Sequence, residues 1–138
     1  MVNVIKMILA DSSFLVAFFH EKDSQHDKAI KDMKEYEEKK IDLMITEHIL
    51  GETATVLLYY NGLNAAKTFL EYAEENFFVQ HWELEDRLST LKEFKNQQFK
   101  LSYIDASIVF LAKFLQMPVA CYDENILKAI KYKNELLK

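Results

Sequence analysis

Short apolar segments that alternate with longer amphipathic segments constrain the fold of this chain more than any other feature. Two of these segments end directly at an aspartate, Asp11 and Asp123. Runs of this length that are apolar on both faces are typical of strands buried in a parallel sheet. The four segments predicted to be strands are 7–10, 43–46, 77–80 and 119–122.

Helical patterns fill the stretches between these strands, and several have recognisable ends. Thr46 is predicted to be an N-cap, Asn61-Gly62 to end a helix, and the segments 24–27 and 102–105 fit the capping-box pattern. We predict helices at 12–19, 25–39, 47–60, 63–76, 83–97, 103–116 and 124–133. Residues 132–137 either continue the last helix or form a fifth strand.

Strands that alternate with helices pair in parallel through crossover connections. The sequence therefore predicts an α/β fold, a three-layer α/β/α sandwich around a central parallel sheet of four or five strands. The length of 138 residues suits one domain, 1–138. The single cysteine, Cys121, has no internal disulfide partner, and the N-terminal segment lacks the apolar run of a signal peptide. We expect a cytoplasmic location and no membrane partner.

The charge balance limits the classes of partner. The formal net charge is −5, which argues against a protein that grips duplex DNA through a basic face. Arg87 is the only arginine, so bidentate contacts to bases or phosphates are scarce. A nuclease remains compatible with this charge, because four candidate metal ligands account for four of the five excess negative charges.

Asp11 and Asp123 follow predicted strands, where the ends of parallel strands form ligand sites in open sheets. The alternative is that each only caps the following helix. Asp105 shares a helix face with apolar residues, where a carboxylate is costly to bury without a cation or hydrogen-bond donors. Its alternative role is the third helical position of the capping box begun by Ser102. Glu52 lies at the margin of an apolar stripe, where a glutamate is often only solvated.

Taken together, the four acids predict a cation site. Like charges converge on one cavity only if a positive group is present, and no lysine or arginine is adjacent in sequence to any of the four. Oxygen ligands favour Mg²⁺ or Mn²⁺ over zinc. Ser13, one turn into the helix after Asp11, is a candidate supporting residue. The candidate catalytic and metal-binding residues are Asp11, Glu52, Asp105 and Asp123.

These residues lie in segments that resemble the conserved blocks of the PIN-domain family, in the same order. The blocks are MILADSSFL at 7–15, Thr46 followed six residues later by Glu52, LSYIDASIVFLA at 101–112, and VACYDENI at 119–126. The resemblance covers nearly the whole chain. Cys121 departs from the pattern, since many members have a serine or threonine at this position, so a supporting hydroxyl is absent.

The resemblance implies strand order 3-2-1-4-5, Mg²⁺ or Mn²⁺ bound by the four acids, and cleavage of an RNA substrate. Many small members are VapC-type toxins that pair with an antitoxin, and homodimers are frequent. The aromatic residues Phe14, Phe18 and Phe19 recur at helical spacing, which is typical of core packing or a subunit interface. With the family resemblance, they lead us to expect a homodimer.

Other functions fit the sequence less closely. A PIN nuclease that processes RNA without an antitoxin and a metal-free PIN-fold interaction module would share the same pattern. In a haloacid-type phosphatase, Ser13 stands where the second aspartate of the motif belongs. For a receiver domain, no aspartate closes the third predicted strand and no lysine follows the last one.

Overall fold

The computed structural model describes residues 6–131 and contains a parallel sheet of four strands in the order β3-β2-β1-β4. β1 pairs with β2 from Lys6↔Ile41 to Leu9↔Met44, and β4 pairs with the last two residues of β1. The strands are β1 Lys6–Ala10, β2 Ile41–Thr46, β3 Phe78–Gln80 and β4 Val119–Ala120. The α/β/α class and the first four places of the predicted order are therefore confirmed. The segment 132–137, where a fifth strand was considered, lies outside the described residues.

All seven predicted helices are present among the described residues. They are α1 Ser12–Phe19, α2 His26–Glu38, α3 Glu47–Asn61, α4 Leu63–Asn76, α5 Leu84–Lys95, α6 Tyr103–Leu115 and α7 Glu124–Lys131. α3 packs on α4, α5 packs on α6, and α1 contacts both α2 and α3. None of the helices in residues 6–131 has the length and apolar character needed to cross a membrane.

Strand β4 is shorter than the prediction of 119–122. It has β1 as its only neighbour in the described sheet, and their register ends at Ala10↔Ala120. The Asp11 N–H still donates to the Ala120 carbonyl at 2.9 Å, and β1 then gives way to α1. Beyond Ala120 no ladder partner remains, so the chain leaves the strand two residues before Tyr122.

Local capping explains most helix boundaries. Thr46 Oγ1 accepts from the Ile49 N–H at 3.1 Å, as predicted, and α3 ends at Asn61 with Gly62 as its C-cap, whose φ of 91° favours glycine. The capping box predicted for 24–27 is wrong. α2 begins at His26 with no side-chain cap, because the preceding turn is closed instead by Asp23, whose carboxylate accepts the Gln25 N–H at 2.8 Å.

The aromatic repeat of α1 belongs to the core. Phe14 is fully buried, and Phe19 packs edge-to-face on Phe69 and Tyr72. Phe18 packs edge-to-face on Phe19 and is only partly buried. Of the two roles offered for this repeat, core packing is the one that the structure supports at Phe14. The homodimer remains a prediction, without support from Phe14.

Candidate active site

Three of the four predicted acids line one cleft at an end of the parallel sheet. Asp11 follows β1 and Asp123 follows its neighbour β4, while Asp105 lies in the first turn of α6. All three line a cleft of about 410 Å³ at this end of the sheet. Glu52, in the second turn of α3, is half-buried and does not line the cleft, although its charge raises the pKa of Asp11.

Asp11 is the most buried of these acids, with 3% of its surface exposed. Its Oδ2 accepts from the Ser13 hydroxyl at 2.7 Å and from the Ser13 N–H at 3.2 Å. Its Oδ1 is buried and has no hydrogen-bond partner. Burial raises the pKa of Asp11, the Ser13 hydrogen bonds oppose this, and the charges of Asp105 and Glu52 raise it further. The carboxylate therefore lies where an added positive charge would be strongly stabilising.

Ser13 connects two segments that are far apart in sequence. Its Oγ donates to Asp11 Oδ2 and accepts from the Tyr122 N–H at 2.9 Å. The hydroxyl thus fixes the rotamer of Asp11 and holds the segment after β4 against α1. The hydroxyl therefore holds the Asp11 carboxylate, and a supporting role of Ser13 in a reaction remains a prediction.

Cys121, which follows β4, has polar neighbours on two sides. The thiol is buried, donates to Asp11 Oδ2 at 3.5 Å and accepts from the Asp123 N–H at 3.2 Å. Burial and the charge of Asp11 raise the pKa of Cys121 to about 12. The side chain therefore remains a thiol near neutral pH and donates to Asp11, a role that a serine or threonine hydroxyl would also fill.

Asp105 and Asp123 both cap helices, as their alternative roles required. Asp105 Oδ2 accepts from the Ser102 N–H at 3.0 Å, and the Ser102 hydroxyl accepts from the Asp105 N–H at 3.1 Å. Asp123 Oδ1 accepts from the Asn125 N–H at 2.9 Å and the Ile126 N–H at 3.3 Å. Each cap uses one carboxylate oxygen. Capping and a role in the cleft are therefore compatible.

The donor set can be tested for its fit to a divalent cation. Within residues 6–131, no group of three or more histidine, cysteine, aspartate or glutamate side chains is arranged so that it could hold a metal ion. Two observations favour a cation: Asp11 Oδ1 is buried without a partner, and nearby carboxylates raise the pKa of Asp11. All the acids offer oxygen atoms, which suit Mg²⁺ or Mn²⁺. The chemistry of these oxygen donors is compatible with such an ion at Asp11, while the described residues form no group of three metal-binding side chains.

The sequence analysis did not identify several residues that line the cleft. The turn before α2 contributes Asp23, Ser24 and Gln25, and α3 contributes Val56 and Tyr60. Tyr60 is eight residues after Glu52 and Val56 four residues after it, a spacing that places all three on one face of a helix. Following this spacing from Glu52 would have indicated Tyr60.

The parallel sheet, the acids near its carboxyl end and the cleft between them define an α/β domain with an acidic cleft at the ends of its strands. The chain belongs to the PIN-domain family, whose model matches residues 8–131.

The structure is similar to the crystal structure of Mycobacterium tuberculosis VapC20, which is described as a toxin that cleaves the sarcin-ricin loop. The TM-score is 0.77 with 21% sequence identity, over 88% of this chain and 94% of that one. At this identity the likeness shows the shared fold. A comparison with curated protein sequences finds no match.

Proposed function

We propose that this protein is a metal-dependent endoribonuclease of a single domain, with Asp11, Glu52, Asp105 and Asp123 as its catalytic and metal-binding acids. The observation that carries the proposal is that Asp11 Oδ1 is buried and has no hydrogen-bond partner. The charges of Asp105 and Glu52 also raise the pKa of this carboxyl group. A buried carboxylate oxygen without a partner is costly, and a divalent cation offsets that cost.

The residues around Asp11 have distinct roles in this proposal. Ser13 and Cys121 hold Asp11 Oδ2 by hydrogen bonds, so that Oδ1 would be the oxygen that binds an ion. Asp105 and Asp123 supply a further carboxylate each, with their helix caps fixing the side chains. Glu52 acts from the edge of the site, through a second ion or by orienting the attacking water. When bound, Mg²⁺ or Mn²⁺ activates water and stabilises charge on the phosphodiester.

RNA is the proposed substrate for two reasons. The net charge of −5 does not suit the grip on duplex DNA, and the structurally similar VapC20 is described as cleaving an RNA element, the sarcin-ricin loop. The same description supports a toxin role. The family resemblance of the sequence adds a small antitoxin partner to the proposal, and the sequence analysis adds a cytoplasmic location. A homodimer is part of the proposal, and a strictly monomeric mass in light scattering at micromolar concentrations would remove it.

The decisive experiment measures cleavage of labelled single-stranded RNA with Mn²⁺, with Mg²⁺ and with EDTA. The wild type should cleave only with a metal, and Asp11→Asn should reduce the rate by orders of magnitude. Asp42→Asn is the matched control, because Asp42 is exposed on β2 and pairs with Met7 near the opposite end of the sheet. Cleavage by Asp11→Asn at the wild-type rate would show that a contaminating nuclease or another site is responsible.

A metal-free PIN-fold interaction module is the second candidate. It is favoured by the lack of a group of three metal-binding side chains within residues 6–131 and by the caps that Asp105 and Asp123 form. Calorimetric titration separates the two candidates. The nuclease binds Mn²⁺ in a manner that Asp11→Asn abolishes, whereas the interaction module shows no binding heat with either protein.

A further inference from the structure

A second pocket adjoins the candidate active site and shares one residue with it. This pocket has a volume of about 280 Å³, near the lower end of the roughly 300–1,000 Å³ typical of small-molecule sites. Tyr60 lines both this pocket and the cleft that contains Asp11. The remaining lining residues are Phe19, His20, Glu21, Lys22 and Asn61.

The Tyr60 ring has the geometry of a stacking platform. Its exposed fraction is 66%, although it lies at the edge of a polar cleft. The His20 ring packs against it with centroids 5.0 Å apart and planes within 12° of parallel. One ring face is thereby supported, while the high exposure leaves ring surface open to a ligand. Flat aromatic surfaces of this kind bind unpaired bases in a manner that tolerates different sequences.

The position of Tyr60 relative to the acids suits a substrate that extends past the reaction centre. Glu52, Val56 and Tyr60 follow one another at intervals of four residues along α3 and share a face. At 1.5 Å per residue, Tyr60 lies about 12 Å along the helix from Glu52. A nucleotide next to the one whose phosphate reaches the acids is therefore within reach of the ring.

The chemistry of the pocket favours a base over a phosphate. Glu21 and Lys22 contribute opposite charges, and the amide of Asn61 can both donate and accept hydrogen bonds with a base edge. The pocket also borders the C-terminal end of α3, where the helix dipole places partial negative charge. A neutral ring with polar edges is compatible with these groups, whereas a phosphate meets repulsion from Glu21 and the helix end.

We propose that Tyr60, supported by His20, forms a stacking subsite for one unpaired base of a single-stranded RNA beside the reaction centre. This inference rests on the proposed ribonuclease function for its substrate. It assigns binding, and not chemistry, to the subsite.

The test measures binding in EDTA, where no cleavage occurs. A short fluorescent single-stranded RNA is titrated with the full chain, and anisotropy gives the Kd at fixed salt. Tyr60→Ala should weaken binding by roughly 5- to 150-fold, the range expected for loss of one base–aromatic stack. Tyr60→Phe keeps the ring and should bind as the wild type does. Tyr59→Ala is the matched control, because Tyr59 is a neighbouring tyrosine that is 88% exposed and lines neither cavity.

A second RNA, with abasic nucleotides in place of bases, identifies what the ring contacts. The wild type should bind it more weakly than the normal RNA, and the difference in Kd between the two RNAs should shrink in Tyr60→Ala. Equal Kd values for the wild type and Tyr60→Ala on normal RNA would overturn the proposal. So would an equal loss for both RNAs in Tyr60→Ala, since the ring would then contact the backbone or serve another partner.

Cleavage assays keep the two proposals separable. If the wild type cleaves RNA and Tyr60→Ala leaves the KM unchanged, the subsite is wrong and the nuclease stands. If the wild type binds RNA through Tyr60 but cleaves nothing with Mn²⁺, the subsite stands and the nuclease is wrong. With both correct, Tyr60→Ala raises KM far more than it lowers kcat, whereas Asp11→Asn lowers kcat.

Discussion

The two sides of the cleft are built differently. On the side of β1 and β4, hydrogen bonds join Asp11, Ser13, Cys121 and Tyr122, and the Tyr122 hydroxyl donates to Asp32 of α2 at 2.7 Å. On the α3 side, Val56 and Tyr60 line the cleft from a helix face, and Tyr60 is mostly exposed.

The difference indicates that the two sides of the cleft suit different tasks. Groups that stabilise developing charge must be held in place before the reaction, because reorganising them during the reaction costs free energy. Groups that bind a variable substrate gain from exposed, adaptable surface. The side at β1 and β4, which hydrogen bonds join and which we call the joined side, is therefore suited to the chemistry. The α3 side is suited to binding the substrate. The following predictions test this comparison in order of expected effect.

The largest effect is expected for Asp105→Asn, which separates capping from chemistry. Asparagine retains an oxygen for the Ser102 N–H, so the free energy of unfolding without metal should change by no more than about 1 kcal/mol. Metal-dependent RNA cleavage should fall by orders of magnitude. Asp86→Asn is the matched control, since Asp86 closes an equivalent capping box on α5 and does not line the cleft. If both variants cleave at the wild-type rate, Asp105 is only a cap.

The second effect concerns metal and pH at Asp11. Its pKa in the folded protein is raised above 3.8, mainly by burial, so the folded state binds this proton more tightly than the unfolded state. The corresponding stabilisation is complete below about pH 3.8 and is lost as the pH rises through the folded pKa. Near neutral pH and without metal, Asp11→Asn should therefore melt above the wild type, and the gap should close on acidification.

Added metal should reverse the order of the melting temperatures of the wild type and Asp11→Asn at neutral pH. Mn²⁺ at ~100 times its Kd adds about 2.7 kcal/mol to the stability of a protein that binds it only when folded. The wild type should gain this and Asp11→Asn should not, as measured by thermal melts with and without the ion. An equal shift in both proteins would place the ion elsewhere.

A smaller effect is expected for Ser13→Ala, which tests whether the hydrogen bonds of Ser13 stabilise the joined side. The change leaves the Tyr122 N–H without its serine partner and removes a donor from Asp11 Oδ2. The expected loss is about 1–3 kcal/mol in urea unfolding, the usual cost of an unsatisfied buried group. Ser24→Ala, at an exposed serine that lines the same cleft, should leave stability unchanged. Equal stabilities for the two variants would mean that the hydrogen bonds of Ser13 do not stabilise the joined side.

Local features were predicted well where the cause is local. The capping box of Ser102 and Asp105, the N-cap at Thr46 and the helix end at Gly62 depend on residues within a few positions of each other. The hydrophobic periodicity gave the strands and helices because it records which faces must be buried. The failed capping box at 24–27 is the exception, and there a competing carboxylate, Asp23, closes the turn first.

The sequence by itself determined the α/β class, the order of elements and the placement of Asp11 and Asp123 directly after predicted strands. Only the tertiary structure decided the environment of each group, because it depends on partners that are distant in sequence. The thiol of Cys121 contacts Asp11, the Ser13 hydroxyl meets the Tyr122 N–H, and His20 stacks on Tyr60. Burial and the charges of Asp105 and Glu52 raise the pKa of Asp11, and both effects depend on which groups lie close together in space.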